Sequence, residues 1–457
     1  MVKRVFSFVL LVVILTACVS THQKNLKVHL QSRYVNKTEP AGEFGSSWWR
    51  SFKSDELNSL IQRALASNYD LAIALTKLKE AVLGYRMSKK RLLPEVNTTF
   101  SYSRTRRNQS GFKSTSRSAS LGFAANYEVD LWSKIRNGID VYRLEKEKAC
   151  YYYDTAMISL LSTLTDNWLV CVSVNEKLPI LKKRMKILSK KVKLLGYGYK
   201  EGTYTLSEYL LARDNLERLK TQLAQLKADY RTALGHIKTI LGLKQNDDLT
   251  VRTSKLPNIL APLDIGKPYM LLERRPDIRK AYANLKEAYL NVKIAKAERL
   301  PQFSLSAQLS YSTIKDSIVD LINNWFYSLA ARIAYVLVDF NRAKLNEKIK
   351  QVATNGAMLE YKKTVLKAVE EVEDAYIRLR VARKNVNSLK KTIANAKIRL
   401  GLARQRYLSG QSDVIAYLSA LDSLLAYRMQ LVDLQQVYLT DLVNLYQAAG
   451  GIYCNEE

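Results

Sequence analysis

Leu418, Asp422 and Leu425 fall on one face of a helix-prone stretch, because residues three and four apart are neighbours on a helix. On a lone helix this is ordinary packing beside a solvated acid. Copies converging on an axis would have different chemistry. Their leucines would shed water and form an apolar constriction. Their aspartates would repel one another unless each is paired or holds a cation. Leu210 and Asp214, with Glu217 following, repeat the spacing earlier in the chain and are expected on an outer ring. Ahead of each face lies a glycine-bearing turn, Tyr199-Lys200-Glu201-Gly202-Thr203 and Tyr407-Leu408-Ser409-Gly410-Gln411-Ser412. Gly202 and Gly410 suit helix C-caps, and the missing Cβ lets another hairpin approach closely.

Other reactive residue types are scattered. His22, His29 and His236 are isolated, so they form no zinc pair. Gly196-x-Gly198 lacks a glycine at Glu201 and follows no strand, so it fails as a nucleotide fingerprint. Glu370, Glu371, Glu373 and Asp374 read as helix-surface carboxylates. Seven Met and three His are few for a metal relay. No catalytic residue and no cofactor is expected.

The elements that carry these residues occur twice. Leu271 to Pro301 reads as one helix with Pro276 in its first turn and a stop at Pro301. Asp70, Ala74, Leu78, Leu83, Leu93 and Pro94 match Asp277, Ala281, Leu285, Leu290, Leu300 and Pro301 at one offset. Tyr199, Gly202, Tyr209, Leu234 and Gly242 match Tyr407, Gly410, Tyr417, Leu442 and Gly450. The chain is a tandem duplication, each copy running helix, strands, long helix, turn, helix.

After Pro94 and Pro301 the pattern alternates apolar with polar. Val96, Phe100 and Tyr102 take one face, and Phe303, Leu305, Leu309 and Tyr311 do the same in the second copy. Two further strands follow, one around Leu121 to Val129 and one from Trp325 to Leu337. A half-buried soluble sheet has the same period. The strand-end aromatics and the N-terminal signal favour a membrane-spanning barrel. Four strands cannot close one, and open edges in lipid leave backbone groups unsatisfied, so copies must pair. Each copy continues with a helical tract, about Ile139 to Tyr197 and about Arg342 to Tyr407. About 60 residues at ~1.5 Å each span roughly 90 Å. Returning helices run about Leu206 to Leu241 and Val414 to Ala448. Pro179 should kink or break the first tract near Asn175. Asp55 to Arg91 reads as a single helix with Ser54 or Asp55 as N-cap.

The N-terminus sets the compartment. Lys3 and Arg4 precede an apolar run, Val5 to Leu15, that is too short to span a bilayer. It ends in Leu15-Thr16-Ala17-Cys18, which resembles a bacterial lipoprotein signal and implies cleavage before Cys18 and acylation of that cysteine. Val19 fits sorting to the outer membrane. Cys150 and Cys171 on one helix would lie roughly 30 Å apart and cannot pair with each other. The net charge of +30 is spread along helices, and an exported chain rarely meets nucleic acid. Solvated helix faces account for it, and no nucleic-acid partner is expected.

From Trp48 to Gly450 the chain resembles the outer-membrane factor family that includes TolC, in its lipoprotein multidrug-efflux branch. The motifs are Trp48-Trp49 with Asp55 and Leu57, Asp130-Leu131-Trp132, Arg274-Arg275-Pro276-Asp277-Ile278 and Val338-Asp339-Phe340. The resemblance implies a mainly α chain with membrane β structure. Three copies would build a twelve-stranded barrel, a periplasmic α-barrel and a mixed α/β equatorial belt near Leu243 to Ile265 and the C-terminus. It implies the exit duct of a tripartite efflux or secretion system, with a periplasmic adaptor and an inner-membrane transporter as partners. Adaptor docking falls to Tyr199, Gly202, Thr203, Tyr407, Gly410 and Ser412, and the periplasmic gate to Leu418, Asp422 and Leu425. The family's arginine after the aspartate is Leu425 here, so any inter-chain ion pair needs another cation. The expected layout is signal 1–17, acylated tether 18–47, first repeat 48–245, linker 246–265, second repeat 266–450 and tail 451–457. A competing reading is a coiled-coil lipoprotein that scaffolds the envelope without transporting anything.

Overall fold

The computed structural model describes residues 33–35, 44–45, 47–109, 112–259, 262–315, 322–451 and 453–454. Cys18 and its signal lie outside the described residues. The first repeat opens with a 3₁₀ turn, Trp48–Phe52, then α1 (Asp55–Ser67) and α2 (Tyr69–Lys90). Next come β1 (Glu95–Gln109), β2 (Phe112–Val129), α3 (Lys134–Lys200) and α4 (Leu206–Ile240). The second repeat has a 3₁₀ turn, Pro268–Met270, then α5 (Leu271–Arg274), α6 (Pro276–Ala297), β3 (Gln302–Lys315) and β4 (Ile322–Ala334). It ends with α7 (Arg342–Leu408) and α8 (Val414–Ala449).

Several expected boundaries move. The Asp55–Arg91 stretch is two helices. Ser54 caps the first, accepting the Leu57 N–H at 3.2 Å, but Asn68 interrupts with extended backbone and caps the second. Arg275 interrupts Leu271–Pro301 in the same way, as the residue before a proline avoids helical geometry. These breaks are equivalent in the two repeats. Asn68 Nδ2 donates to Ile240 O at 2.9 Å, and Arg275 Nη1 donates to Ala448 O at 2.9 Å. Each ties the start of one helix to the end of the returning helix. Beside them sit Gly242 and Gly450, both with positive φ (68° and 80°), where an added Cβ would lie 3.0 Å and 2.8 Å from a backbone oxygen. Arg275 also grips Asp277 and Glu371, at 2.7 Å and 2.6 Å. Glu371 is thus held within the chain, as is Glu373, which accepts the Val35 N–H at 2.6 Å.

Pro179 does not break α3, which runs unbroken for 67 residues. A mid-helix proline costs about 3 kcal/mol, but Val174 and Leu181 on either side of it are buried. Asn175 donates to Val251 O and Thr253 O, which pins this turn from outside. Tertiary packing therefore overrides the local preference.

The four strands form one antiparallel sheet in the order β1-β2-β3-β4. Its register puts Phe100 opposite Leu121, Leu121 opposite Tyr311 and Tyr311 opposite Trp325. Most apolar residues of the four strands thus share one face, with Phe326 an exception opposite Ser310. Ser101 and Ser120, Oγ to Oγ at 2.7 Å, lie on the other with Ser304, Ser306 and Gln308. Two strand-to-helix elbows join sheet to helices. Asp130 accepts the Ile135 and Arg136 N–H groups at 2.9 and 3.0 Å, and Asp339 accepts those of Asn341 and Ala343 at 2.9 Å. Trp132 Nε1 donates to Pro301 O at 2.7 Å, which fixes the entry to β3.

Beyond the sheet, α3 packs between α4 and α8, and α7 packs against α8. The main core lies at the equator, where Trp168, Tyr376 and Tyr446 are fully buried. The Trp48 ring lies tilted 5.3 Å from Tyr446, and Tyr34 lies 5.8 Å from Tyr376. Tyr34, in the stretch expected as an acylated tether, is buried in this core. The expected β component of the belt is missing among the described residues, where only an isolated bridge occurs at Asp264. A disulfide joins Cys150 on α3 to Cys454 in the tail, and Asp154 accepts the Tyr453 and Cys454 N–H groups at 2.9 and 2.7 Å.

Candidate functional site

Both hairpin turns close in the same way. Gly202 N–H donates to Tyr199 O and Thr203 N–H to Gly198 O, at 3.1 and 2.7 Å. Gly410 N–H donates to Tyr407 O and Gln411 N–H to Arg406 O, at 3.2 and 2.9 Å. This is the Schellman pattern, with glycine at the left-handed position. Gly202 and Gly410 have φ of 70° and 73°, and nothing lies within 4 Å of an added Cβ at either. Tyr199, Thr203 and Tyr407 are exposed around them and Ser412 is half-buried. The Tyr407 ring stacks on Tyr417. The returning helices restart on strong caps. Thr205 and Glu208 form a capping box, and Asp413 accepts the Ala416 N–H at 2.8 Å.

The two tips are tied together. Tyr204 OH donates to Asp413 Oδ2 at 2.6 Å. That bond, first among its causes, holds the Asp413 carboxyl below its ordinary range and pushes the Tyr204 phenol up to about 12.

The expected gate residues come together, but not around an open axis. Leu418 is 5% exposed and Leu425 3%, both packed on Ile187 of α3. Asp422 is paired within its own chain. Arg184 Nε donates to Oδ1 at 2.8 Å and Nη2 to Oδ2 at 3.3 Å, with the two side chains 15% and 23% exposed. The cation that pairs with Asp422 is therefore on α3 of the same chain. Lys177 and Lys191 lie one heptad to either side of Arg184. They reach Asp433 and Ser419, each at 2.8 Å. The α3–α8 contact is thus a zipper, with Lys177, Arg184 and Lys191 as its polar line and Ile180, Ile187 and Leu194 as its apolar line. Leu210 and Asp214 on α4 are exposed. Arg184 was missed from sequence, since nothing local marks a partner 238 residues away. Its heptad relation to Lys177 and Lys191 was the available signal.

The two repeats separately match the family described as outer membrane efflux protein, over residues 60–243 and 268–451. The chain belongs to this family. Among its relatives is the pyoverdine export outer membrane protein OpmQ of Pseudomonas aeruginosa, 28% identical over 454 residues, covering 96% of this chain and 94% of that protein. The probable outer membrane lipoprotein SilC of Salmonella typhimurium is 23% identical over 420 residues, covering 91% and 90%. Of solved structures, the outer-membrane channel OprN superposes with a TM-score of 0.81 at 24% identity, covering 93% of this chain and 98% of that one. The efflux protein is an outer-membrane channel, as its strands and signal led one to expect. Its Arg-Arg-Pro-Asp motif is an equatorial staple, with Arg274 Nη1 on Ile265 O at 3.2 Å and Arg275 on Ala448, Asp277 and Glu371. In this efflux protein the Asp130 and Asp339 motifs are elbow caps.

Proposed function

We propose that three copies of this chain close a passive duct through which substrates leave the periplasm across the outer membrane. One observation carries the reading: a four-stranded sheet with one face apolar over most of its length and two edges, β1 and β4, left unpaired within the chain. In lipid such edges must be paired. The strands alternate in direction, so β4 of one copy meets β1 of the next antiparallel, and any number of copies keeps the alternation. The helices support the same closure. Leu345, Val352, Leu359 and Leu366 form an exposed apolar stripe at heptad spacing on α7. Within the chain, α3 packs on α6. The duplication carries that contact over to α7 against α2 of the next copy, where Ile73, Leu83 and Met87 are exposed.

Around this duct a periplasmic adaptor docks at Tyr199, Gly202, Thr203, Tyr407, Gly410 and Ser412, and an inner-membrane transporter supplies the energy. Cys18 carries the lipid, a reading that SilC's lipoprotein name supports. The resting gate is the α3–α8 zipper, with Arg184–Asp422 as a latch and Leu418 and Leu425 as its dry seam. Outward swing of the α7–α8 hairpin breaks the latch and widens the tip. Deleting the gene should raise sensitivity to at least one class of toxic compound or abolish export of one product. Restored export by the full chain, and not by a chain lacking residues 95–129, would support the duct. Unchanged sensitivity and secretion in the deletion strain would oppose it.

A further inference from the structure

Beyond the duct itself, the sheet carries a row of cations on its apolar face. Register sets Arg104 of β1 opposite Arg117 of β2, and Arg117 opposite Lys315 of β3. Because cross-strand partners share a face, these positions continue the line of Phe100, Tyr102, Leu121 and Tyr311. Arg106 follows on the same face two residues on. Arg104, Arg106 and Arg117 are exposed. From Arg104 to Ser118 the chain holds four arginines and one lysine and no carboxylate. Asp316 and Asp320, in the connection from β3 to β4, lie outside the described residues.

Position along the strands sets the depth of this row. From Val129 to Arg117 there are twelve steps along β2. At ~3.3 Å per residue and a barrel tilt of ~45°, that is a rise of roughly 28 Å. Val96 stands opposite Ala125, four residues above Val129, so the eight further steps along β1 bring Arg104 level with Arg117. An outer-membrane barrel has an apolar band about 25 Å tall. The arginines therefore stand at its upper rim, on the lipid side, at the end remote from the helices. Tyr311 and Trp325, 5.0 Å apart, mark the aromatic girdle just beneath. A cation facing hydrocarbon at mid-depth would cost about 2–4 kcal/mol, whereas at the rim it meets headgroups at little cost.

We propose that Arg104, Arg106 and Arg117 form a binding site for phosphate groups of the outer-leaflet lipid. The inference rests on the barrel reading above. Arginine suits the task because its planar fork takes phosphate oxygens in pairs. Three copies would present the row three times and seat the barrel among phosphorylated lipids that otherwise need divalent cations to neutralise them. Arg107 supplies an internal control. It alternates to the opposite face, with Ser101 and Ser103, and points away from lipid.

The test uses full-length protein purified in detergent and native mass spectrometry with bisphosphorylated lipid A as the probe. Wild type should retain the lipid, and the Arg104→Gln/Arg106→Gln/Arg117→Gln variant should bind it at least tenfold more weakly. Arg107→Gln should stay within twofold of wild type, and lipid A stripped of phosphate should bind wild type no better than the triple variant does. Equal binding by wild type and the triple variant, or an equal fall in Arg107→Gln, would overturn the site. Phosphatidylglycerol binding as tightly as lipid A, or displacement by inorganic phosphate at matching concentration, would overturn the assignment to outer-leaflet lipid. The same preparations recorded in planar bilayers separate the two claims. If wild type conducts while lipid binding ignores the arginines, only this inference fails. If wild type forms no conducting barrel, both fail.

Discussion

Breaking the Arg184–Asp422 latch should open the resting duct. The pair is forked, at 2.8 and 3.3 Å, and its side chains are 15% and 23% exposed. It lies between an exposed ion pair, worth up to about 1 kcal/mol, and hydrogen bonds to charged groups, worth about 1.5–3 kcal/mol. We take about 1.4 kcal/mol per protomer, a factor of about ten in the open-to-closed ratio of one hairpin. If the three hairpins swing independently, each opens about tenfold more often. If they swing together, the factors compound to about a thousandfold. The assay is single-channel conductance of the purified protein in planar bilayers, for wild type, Arg184→Ala, Asp422→Ala and the double variant. Each single variant should raise the open probability, and the double variant should add little, since either change already breaks the pair. Leu418→Ala with Asp422→Ala should widen the resting pore, with Leu210→Ala/Asp214→Ala as the control. Equal conductance in all variants would refute the latch.

Burial pushes the Asp166 carboxyl on α3 up to about 6 from its ordinary 3.8. A raised carboxyl favours its neutral form in the folded state, so the contribution of Asp166 to stability is fully present below pH 3.8 and is lost as pH rises through 6. Asp166→Asn should then raise the thermal midpoint at pH 8, with a gain of up to about 3 kcal/mol, and leave it unchanged at pH 4. Equal gains at both pH values would contradict this. Gly202→Asn with Gly410→Asn should keep both caps, since Asn tolerates the left-handed conformation, while its side chain fills the space an adaptor needs. Transport should fall with the assembly intact, and normal transport would remove the tips from docking.

The faces of the sheet were legible because period-two alternation needs only the residue types of each strand. Strand ends were not, since Arg106 to Ser116 holds Phe112 as its one large apolar residue and offers no alternation. The split at Asn68 had a signal, an asparagine just before Asp70, but the surrounding helical pattern hid it. Pro179 misled because the packing that holds it comes from Val251, Thr253 and the buried Leu181, distant in sequence or invisible without the fold. Cys150 and Cys454 are 304 residues apart, and nothing local pairs them. Leu418, Asp422 and Leu425 share one face of α8, as their spacing predicts. Spacing could not say that α3 covers that face, because the α3–α8 contact joins the two repeats.

The central claim is that β4 of one copy closes on β1 of the next. The duplication fixes the register. Val96 matches Phe303 and Val129 matches Leu337 between repeats, and Val129 faces Phe303 within the chain. Leu337 should therefore face Val96 of the partner subunit, and Ile333 should face Phe100 of the partner subunit. This extends β4 past Ala334, to the strand end expected from sequence. The measurement is disulfide formation in outer membranes from a chain carrying Phe100→Cys and Ile333→Cys, read on non-reducing gels. The account predicts a ladder that ends at three covalently linked chains and collapses on reduction, with neither single variant forming it. Monomers alone, or a ladder running past three, would contradict a closed three-chain duct.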